Sequence, residues 1–267
     1  MLNKIIMSIK NFVWFCKYYK IIKSTLKIKK SKFNKKLFIF GNGKSLELLD
    51  QKKIKKYLKN DFEVLCMNNF ITSDFANELD INYYLIADRR IYQPENSDFS
   101  VDKKAETLKM HKILSSKNVK IFLPVEFYKD KKFSNETFYF NNNYNKFSNN
   151  YSDIIRSNNL MSLSGLKALM IGIFLGYKEI YVCGLDNDQW KYVKINKDNK
   201  IISDTRYFQK NTNFHENKEK NMSNYLKTYS DIFKSYENFK SHKIFNLDEH
   251  SYINCFNKKH NLDVYKK

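Results

Sequence analysis

The sequence lacks the cysteine pattern of a disulfide-rich or zinc-ribbon protein. It has four cysteines in 267 residues, and no two of them have CxxC spacing. Cys66 and Cys183 lie in apolar runs that resemble buried strands. We therefore expect buried free thiols and a reducing compartment, which points to the cytoplasm.

It also lacks a long uncharged apolar run. No stretch approaches the eighteen or so residues that a bilayer span needs, and no small-residue cleavage site follows the first apolar segment. This excludes a transmembrane helix and a signal peptide from the interpretation.

Residues 1–36 nevertheless form a distinct unit, with eleven lysines and no acidic residue. Their apolar side chains recur at helical spacing. These are Leu2, Ile5, Ile6, Ile9, Phe12, Val13 and Cys16. The pattern predicts a basic amphipathic helix that binds the inner face of the cytoplasmic membrane as a peripheral anchor. The alternative is a helix docked on its own domain.

The net charge of +20 raises the question of a nucleic-acid partner. However, 44 of the 48 basic residues are lysine, and +9 remains once residues 1–36 are set aside. No RNP, KH, zinc-finger or helix-turn-helix signature is present. We therefore expect no nucleic-acid partner, and keep a basic nucleic-acid-binding protein as the less favoured alternative.

The stretch 162–188 predicts half of a doubly wound α/β unit. Ser164 stands where an N-cap is expected, an almost wholly apolar helix follows, and Gly176 ends it as a C′ glycine. A short apolar strand at 180–183 then runs into the polar sequence GLDND. In such sheets ligands bind beyond the carboxyl ends of the strands, so Gly184 and Asp186 are candidate site residues.

Further buried strands are predicted along the chain. They cover residues 37–40, 63–67, 83–86, 119–123 and 243–247. Polar residues follow several of them, including Asn68, Asn69 and Asp88, and these join the candidate site. Helices are expected around 104–116 and 224–239, and an irregular or strand-bearing excursion over 135–150.

The sequence GNGKS at 41–45 follows the first strand and precedes a helical pattern at 46–49. A strand, a glycine-rich turn and a helix start together predict an anion site, because unpaired backbone amides would point at a phosphate. The P-loop motif fails because Phe38 occupies its first glycine position, and the dinucleotide motif fails at Leu46. A tight turn without a ligand is the alternative.

Taken together, these motifs resemble the bacterial lipooligosaccharide sialyltransferases of glycosyltransferase family forty-two and related surface-polysaccharide transferases. The matching sequences are IFGNGKSL from residue 39, CMNNF from residue 66, SG at 164–165, LGYKEIY from residue 175, GLD from residue 184, and, more weakly, KIFNL from residue 243 with Ser251. They span residues 37–256 in a shared order, although the strong motifs cover only some thirty positions.

The resemblance implies a Rossmann-like, mostly parallel sheet of the GT-A-variant type and a CMP-sugar donor. It places Asn42, Ser45 and Asn68 around the phosphate and the sugar. It places four further residues on the cytidine. These are Ser164, Gly165, Gly184 and Asp186. We add Gly41 and Gly43, which shape the first turn.

The family's reaction is an inverting transfer from CMP-sialic acid to a sugar hydroxyl, without a metal or other cofactor. It uses a histidine as base and tyrosine hydroxyls on the leaving phosphate. His215 is the one histidine in the segment where the family has its base, with an exposed loop residue as the alternative. Tyr192 and Tyr207 are the nearest tyrosines, and residues 191–222 are expected to form a mobile acceptor-side lid.

Two departures from the family place the donor in question. The family has an asparagine where this chain has Ala87, and a tyrosine where it has Asp188. Asp186 and Asp188 also form a D-x-D pair, with which a metal-dependent glycosyltransferase using an NDP-sugar would hold a divalent cation. This metal-dependent reaction is the alternative function.

The sequence thus predicts an α/β enzyme in three parts. Residues 1–36 are the membrane-associating helix, 37–256 the glycosyltransferase domain and 257–267 a basic tail. The expected partners are a nucleotide-sugar donor, a glycan or glycolipid acceptor of lipopolysaccharide or capsule synthesis, and the membrane surface. A homo-oligomer is also compatible with the sequence.

Overall fold

The fold was analysed in a computed structural model. It describes residues 2–28, 35–59, 62–142, 153–154, 163–205, 213–216, 221–258, 262 and 264, with the backbone alone at 2–8, 10–11, 204–205 and 213–216.

Seven parallel strands form the main sheet. They are β1 (Lys36–Phe40), β2 (Phe62–Met67), β3 (Tyr83–Leu85), β4 (Lys120–Pro124), β5 (Thr137–Phe140), β6 (Glu179–Cys183) and β10 (Ile244–Asn246). Their order across the sheet is β10-β6-β1-β2-β3-β4-β5. The chain therefore starts at β1, moves outward to β5, and returns to the other side of β1. The topology confirms the predicted doubly wound α/β fold. Its switch point, where the strand order reverses, lies between β1 and β6.

Helices cover both faces of the sheet. They are α1 (Leu2–Thr25), α2 (Gln51–Leu58), α3 (Asp74–Asn77), α4 (Arg89–Tyr92), α5 (Val101–Ser116), α6 (Ser164–Phe174) and α7 (Met222–Glu237). Side chains of β1 alternate between two cores. Leu37 and Ile39 pack with α6 and α7, whereas Phe38 and Phe40 pack with residues of α2 and α5.

Buried strands account for two of the four cysteines. Cys66 and Cys183 are fully buried free thiols, as predicted, and burial raises the pKa of both well above its usual value. They therefore act as small apolar core residues.

Helix α6 is buried almost throughout, and its end confirms one of two predicted caps. Gly176 follows the helix with a φ of 85°, in the left-handed region that favours glycine. The N-cap prediction was wrong, because Leu163 occupies that position and Ser164 is the first helical residue. The Ser164 hydroxyl is instead directed at Asn68 of a neighbouring strand end, 3.1 Å away.

The predicted lid region contains a second sheet. Its antiparallel strands are β7 (Val193–Ile195), β8 (Ile201–Thr205) and β9 (Asn213–Glu216), in the order β9-β8-β7. The region is thus at least partly ordered into strands, whereas its role as a mobile lid stays a prediction. The excursion over 135–150 bears strand β5, as expected, and its residues 143–150 lie outside the described part.

Helix α1 docks on the domain through one face of its C-terminal half. Ile22 and Thr25 are fully buried, and the ring of Tyr18 contacts Tyr128 edge-on at 5.9 Å. The Thr25 hydroxyl donates to the carbonyl of Tyr139 at 2.8 Å and accepts from its amide at 2.9 Å. The helix therefore covers the edge strand β5, a position where unpaired strands are otherwise exposed to association.

The opposite face of α1 carries the apolar stripe that the sequence predicted. Ile9, Phe12 and Val13 are 58, 59 and 60% exposed. One face of α1 therefore packs on the domain, and the opposite face exposes an apolar stripe. Within the described residues, no helix has both the length and the apolar character to cross a bilayer.

Replacing Thr25 by valine tests the attachment of α1. The variant keeps the shape but leaves the Tyr139 amide without its acceptor, so we expect a loss of about 1–3 kcal/mol in the free energy of unfolding. Urea unfolding monitored by circular dichroism measures this change. Ser24→Ala is the control, since that hydroxyl is exposed and bonds only within the helix. Equal stability of the two variants would contradict the docking role.

Candidate active site

The ends of three adjacent strands lie level at the switch point. Phe40 of β1 pairs with Cys66 of β2 on one side and with Cys183 of β6 on the other. The segments that follow these strands therefore leave the sheet side by side. This register brings the predicted turn at 41–45, Asn68 and Gly184 to one edge.

The turn at 41–45 is fastened to the end of β6. The amide of Gly41 donates to the carbonyl of Cys183 at 2.8 Å, and that of Gly43 to the carbonyl of Gly184 at 2.9 Å. The amide of Ser45 donates to the Asp186 carboxylate at 3.0 Å, and the Ser45 hydroxyl makes a further short bond to it.

The expectation of unpaired amides is therefore wrong for Gly41, Gly43 and Ser45. These three amides are already paired within the protein. Residues Lys44–Leu48 form a short 3-10 turn, and α2 begins only at Gln51, where Asp50 caps its first amides. The turn shapes the site, but it does not offer these groups to a phosphate.

Close packing explains two of the glycines in this contact. A Cβ on Gly41 would lie 2.1 Å from the carbonyl oxygen of Gly184, and one on Gly43 would lie 2.3 Å from the Asp186 carboxylate. Neither backbone segment could approach the other with a larger residue there.

Asp186 is a buried carboxyl group, 9% exposed. Desolvation raises its pKa to about 6 from the usual 3.8, against the lowering effect of the two hydrogen bonds from Ser45. The nearby Asp248 and Asp188 raise the pKa further.

Asn68 and Ser164 form the opposite wall. Asn68 has a φ of 54°, and its carbonyl accepts a short hydrogen bond from the buried Tyr84 hydroxyl. Its side-chain oxygen accepts from Ser164. The tyrosine thus fixes the backbone of Asn68, and the amide side chain ties the end of β2 to the start of α6.

These walls enclose a cavity of about 230 Å³, here called the switch-point cavity. Eight predicted site residues line it. They are Gly41, Asn42, Gly43, Asn68, Ser164, Gly165, Gly184 and Asp186. Ser45 and Asn69 are buried beside it and are not among the lining residues, and the side-chain oxygen of Asn69 has no hydrogen-bond partner in the described part of the chain.

Further lining residues were not predicted. They are Met67, Leu163, Leu185, Asn187, Gln189 and Tyr236. Tyr236 comes from α7, and Asn187 donates to its hydroxyl at 3.1 Å. A Cβ on Gly165 would lie 2.8 Å from that hydroxyl, so the glycine makes room for the tyrosine. Tyr236 lies in the helix expected around 224–239, and no local signal placed it in a site.

A second cavity of about 720 Å³ lies beyond the ends of β3 and β4, and is here called the outer cavity. It meets the switch-point cavity at Leu163 and Ser164, which line both. Asp88 lines the outer cavity, not the switch-point cavity. Its carboxylate caps α4 and forms an ion pair with Arg90 at 2.8 Å.

The structure describes the three predicted catalytic residues less fully than the residues that line the cavities. His215 lies in β9 opposite Ser203, and only its backbone is described. Tyr192 belongs to a short 3-10 turn and is not among the lining residues of either cavity. Tyr207 lies outside the described residues. Catalytic roles for these three therefore stay predictions.

The carboxyl groups of the D-x-D pair are in different settings. The carboxylate of Asp186 is held by Ser45, whereas Asp188 precedes the 3-10 turn at Gln189–Tyr192. In the described ranges, no cluster of three or more histidine, cysteine or acidic side chains is arranged to hold a metal ion.

Comparison with known proteins gives one informative likeness. No family model and no curated protein sequence matches the chain. A solved structure, the MAf glycosyltransferase from Magnetospirillum magneticum AMB-1, aligns over 92% of this chain with a TM-score of 0.51 and 11% identity. The chain spans only 39% of the length of that protein. The likeness confirms a fold shared with a glycosyltransferase.

The pKa of Asp186 predicts a specific pH dependence of stability. Because the native pKa is raised, the native state binds the proton more tightly than the unfolded state between pH 3.8 and about 6. The stability from this group is full below that window and is lost as the pH rises through it. Relative to Asp186→Asn, the wild type should lose up to about 3 kcal/mol between pH 4 and pH 7.

Urea unfolding of both proteins at each pH measures this difference. Ser45→Ala serves as a companion variant, since removing a bond that lowers the pKa should extend the loss to higher pH. A difference between wild type and Asp186→Asn that stays constant with pH would contradict the assignment.

Proposed function

We propose that this protein is an inverting glycosyltransferase that transfers an acidic sugar from a CMP donor to a glycan hydroxyl. Sialic acid or a related nonulosonic acid is the leading donor sugar. The acceptor belongs to bacterial surface-glycan synthesis, such as lipopolysaccharide or capsule.

One observation carries the proposal: six of the seven residues implied by the sialyltransferase resemblance line the switch-point cavity, and the seventh, Ser45, is buried beside it. They come from the turn after β1, the end of β2, the start of α6 and the end of β6, which are up to about 145 residues apart in sequence. Doubly wound sheets bind nucleotides at this place. The fold shared with a glycosyltransferase supports the same conclusion.

The start of α6 supports an anionic donor. Gly165 lies in the first turn of this eleven-residue helix and lines the cavity. The first amides of a helix lack intrahelical partners, and the helix dipole favours negative charge there. Since the amides of Gly41, Gly43 and Ser45 are occupied, we assign phosphate stabilisation to this helix end, with the Tyr236 hydroxyl and the Asn68 side chain beside it.

The metal-dependent alternative is less well supported. The bonds from Ser45 to Asp186 favour a role for this carboxyl group in shaping the nucleotide site. We therefore propose a reaction that uses no cofactor.

Binding of CMP by the switch-point cavity can be measured directly. At a concentration of one hundred times the dissociation constant, CMP should stabilise the native state by about 2.7 kcal/mol, whereas UDP and GDP should give smaller shifts. Ser164→Ala should weaken CMP binding about 5- to 30-fold, because one hydrogen-bonding group is lost. Thermal-shift and calorimetric titrations report both effects.

Ser116→Ala is the matched control, since that hydroxyl bonds to Ile113 near the end of α5 and lies outside both cavities. The absence of a response to CMP, UDP, GDP and their sugars would contradict the proposed function.

We also propose that the exposed face of α1 binds an anionic membrane surface. Ile9, Phe12 and Val13 offer an apolar stripe that the domain leaves uncovered. The eleven lysines of residues 1–36, with no acidic residue, match a negatively charged bilayer. The protein would then work on the inner face of the cytoplasmic membrane.

Replacing Ile9, Phe12 and Val13 together by serine should reduce binding to phosphatidylglycerol-containing vesicles by about tenfold or more, because inserted apolar area is lost. Vesicle flotation measures the bound fraction. Val101→Ser on α5 is the control, since that residue is 82% exposed on another element. Equal binding by the triple variant and the control would contradict the anchor.

A further inference from the structure

The outer cavity is large, polar and unused by the donor site. Its charged and amide-bearing lining residues suit a ligand with many hydroxyl groups. They are Asp88, Arg89, Arg90, Gln93, Glu126, Asp130 and Asn142. Because Leu163 and Ser164 line both cavities, a ligand in the outer cavity would lie next to the proposed donor site.

The three carboxyl groups of this cavity differ in their partners. Asp88 is paired with Arg90, and Asp130 accepts from the amide of Gln93 at 2.9 Å. For Glu126, no other side chain of the described residues donates a hydrogen bond to its carboxylate. It follows β4 directly, in the turn Val125–Phe127, and its side chain is exposed to the cavity. Glu126 is therefore an exposed carboxylate of the cavity to which no other described side chain donates.

A buried lysine acts on Glu126 electrostatically. Lys167 is 0% exposed, and within the described ranges its ammonium group has no hydrogen-bond partner. It lies three residues after Ser164 on α6, and so on the same face of the helix, one turn behind the cavity wall. Burial lowers the pKa of Lys167 to about 8, and the charge of Glu126 opposes that shift.

Opposing effects act on the pKa of Glu126. Desolvation raises the pKa of Glu126, against the lowering effects of a hydrogen bond from its own backbone and, smallest of the three, of the charge of Lys167. The result is a carboxylate more basic than a free glutamate. A general base works best with a pKa moved towards the working pH.

We propose that the outer cavity binds the glycan acceptor and that Glu126 is the general base, with Lys167 as its positioning residue. The inference rests on the proposed glycosyltransferase function. In the reaction, the acceptor hydroxyl gives its proton to the Glu126 carboxylate, and its oxygen forms a bond to the anomeric carbon. The bond from that carbon to the phosphate oxygen breaks, and CMP leaves with the electron pair.

The test is Glu126→Gln in the full chain, with CMP-N-acetylneuraminic acid as donor probe and lactose, N-acetyllactosamine and 3′-sialyllactose as acceptor probes. We expect turnover to fall about 10²–10⁴-fold, with CMP affinity unchanged. Glu136→Gln is the matched control, since Glu136 is exposed, outside both cavities and paired with Lys120. Turnover of Glu126→Gln within threefold of wild type would overturn the assignment. So would a fall in turnover of about 10²–10⁴-fold that occurs in His215→Ala and not in Glu126→Gln.

Binding of the acceptor probes to the CMP-bound protein is measured separately, by saturation-transfer NMR. We expect glycan signals in the wild type and in Glu126→Gln. If CMP binds but no glycan signal or turnover appears, the inference is wrong and the donor site stands. If CMP itself does not bind, the proposed function fails and the inference fails with it.

The variant Lys167→Met distinguishes an effect of Lys167 on the pKa of Glu126 from a purely structural role of Lys167. Without the ammonium charge the pKa of Glu126 rises, so the acidic limb of the profile of kcat/KM against pH should move to higher pH. A loss of stability with an unmoved limb would overturn the positioning role.

Discussion

The contact between the 41–45 turn and the end of β6 holds the active-site edge together. Backbone bonds from Gly41 and Gly43 and the paired bonds from Ser45 to Asp186 join two segments that are about 140 residues apart. The two strands pair up to Phe40 and Cys183, and the contact continues this pairing into the segments that line the switch-point cavity.

The start of α6 stands between the two cavities. Since the contact pairs the amides of Gly41, Gly43 and Ser45, the first amides of this helix remain as a place where negative charge is favoured. Ser164 and Leu163 stand at the start of that helix and separate the two cavities. The same helix carries the buried Lys167 one turn further on.

Much of the fold could be predicted from the sequence, because short local patterns indicate most of its strands and helices. The apolar runs of β1, β2 and β6 and the glycine after α6 each signal their structure within a few residues. Asn68, Gly184 and Asp186 were predicted because strand ends in such a sheet converge, whereas Ser164 and Gly165 were placed beside them by the family resemblance. Glu126 also follows a strand, β4, and the same reasoning extended to that strand would have found it.

The contacts between distant segments could not be predicted from local sequence patterns. The bond of Ser45 to Asp186, the arrival of Tyr236 from α7 and the influence of Lys167 on Glu126 all join distant segments. A charged residue in an apolar helix gives no sign of which cavity it faces. The wrong N-cap at Ser164 has the same origin, since its hydroxyl found a partner on a neighbouring strand end instead of its own helix.

The docking of α1 has a geometric consequence. Tyr18 of the helix touches Tyr128, the residue next to Phe127 in the wall of the outer cavity. Any surface that engages the stripe of Ile9, Phe12 and Val13 on the far side of the helix is therefore held at a set distance from that cavity. With the proposed membrane and acceptor roles, the helix would also fix how far the reactive hydroxyl of an acceptor stands from the surface that carries it.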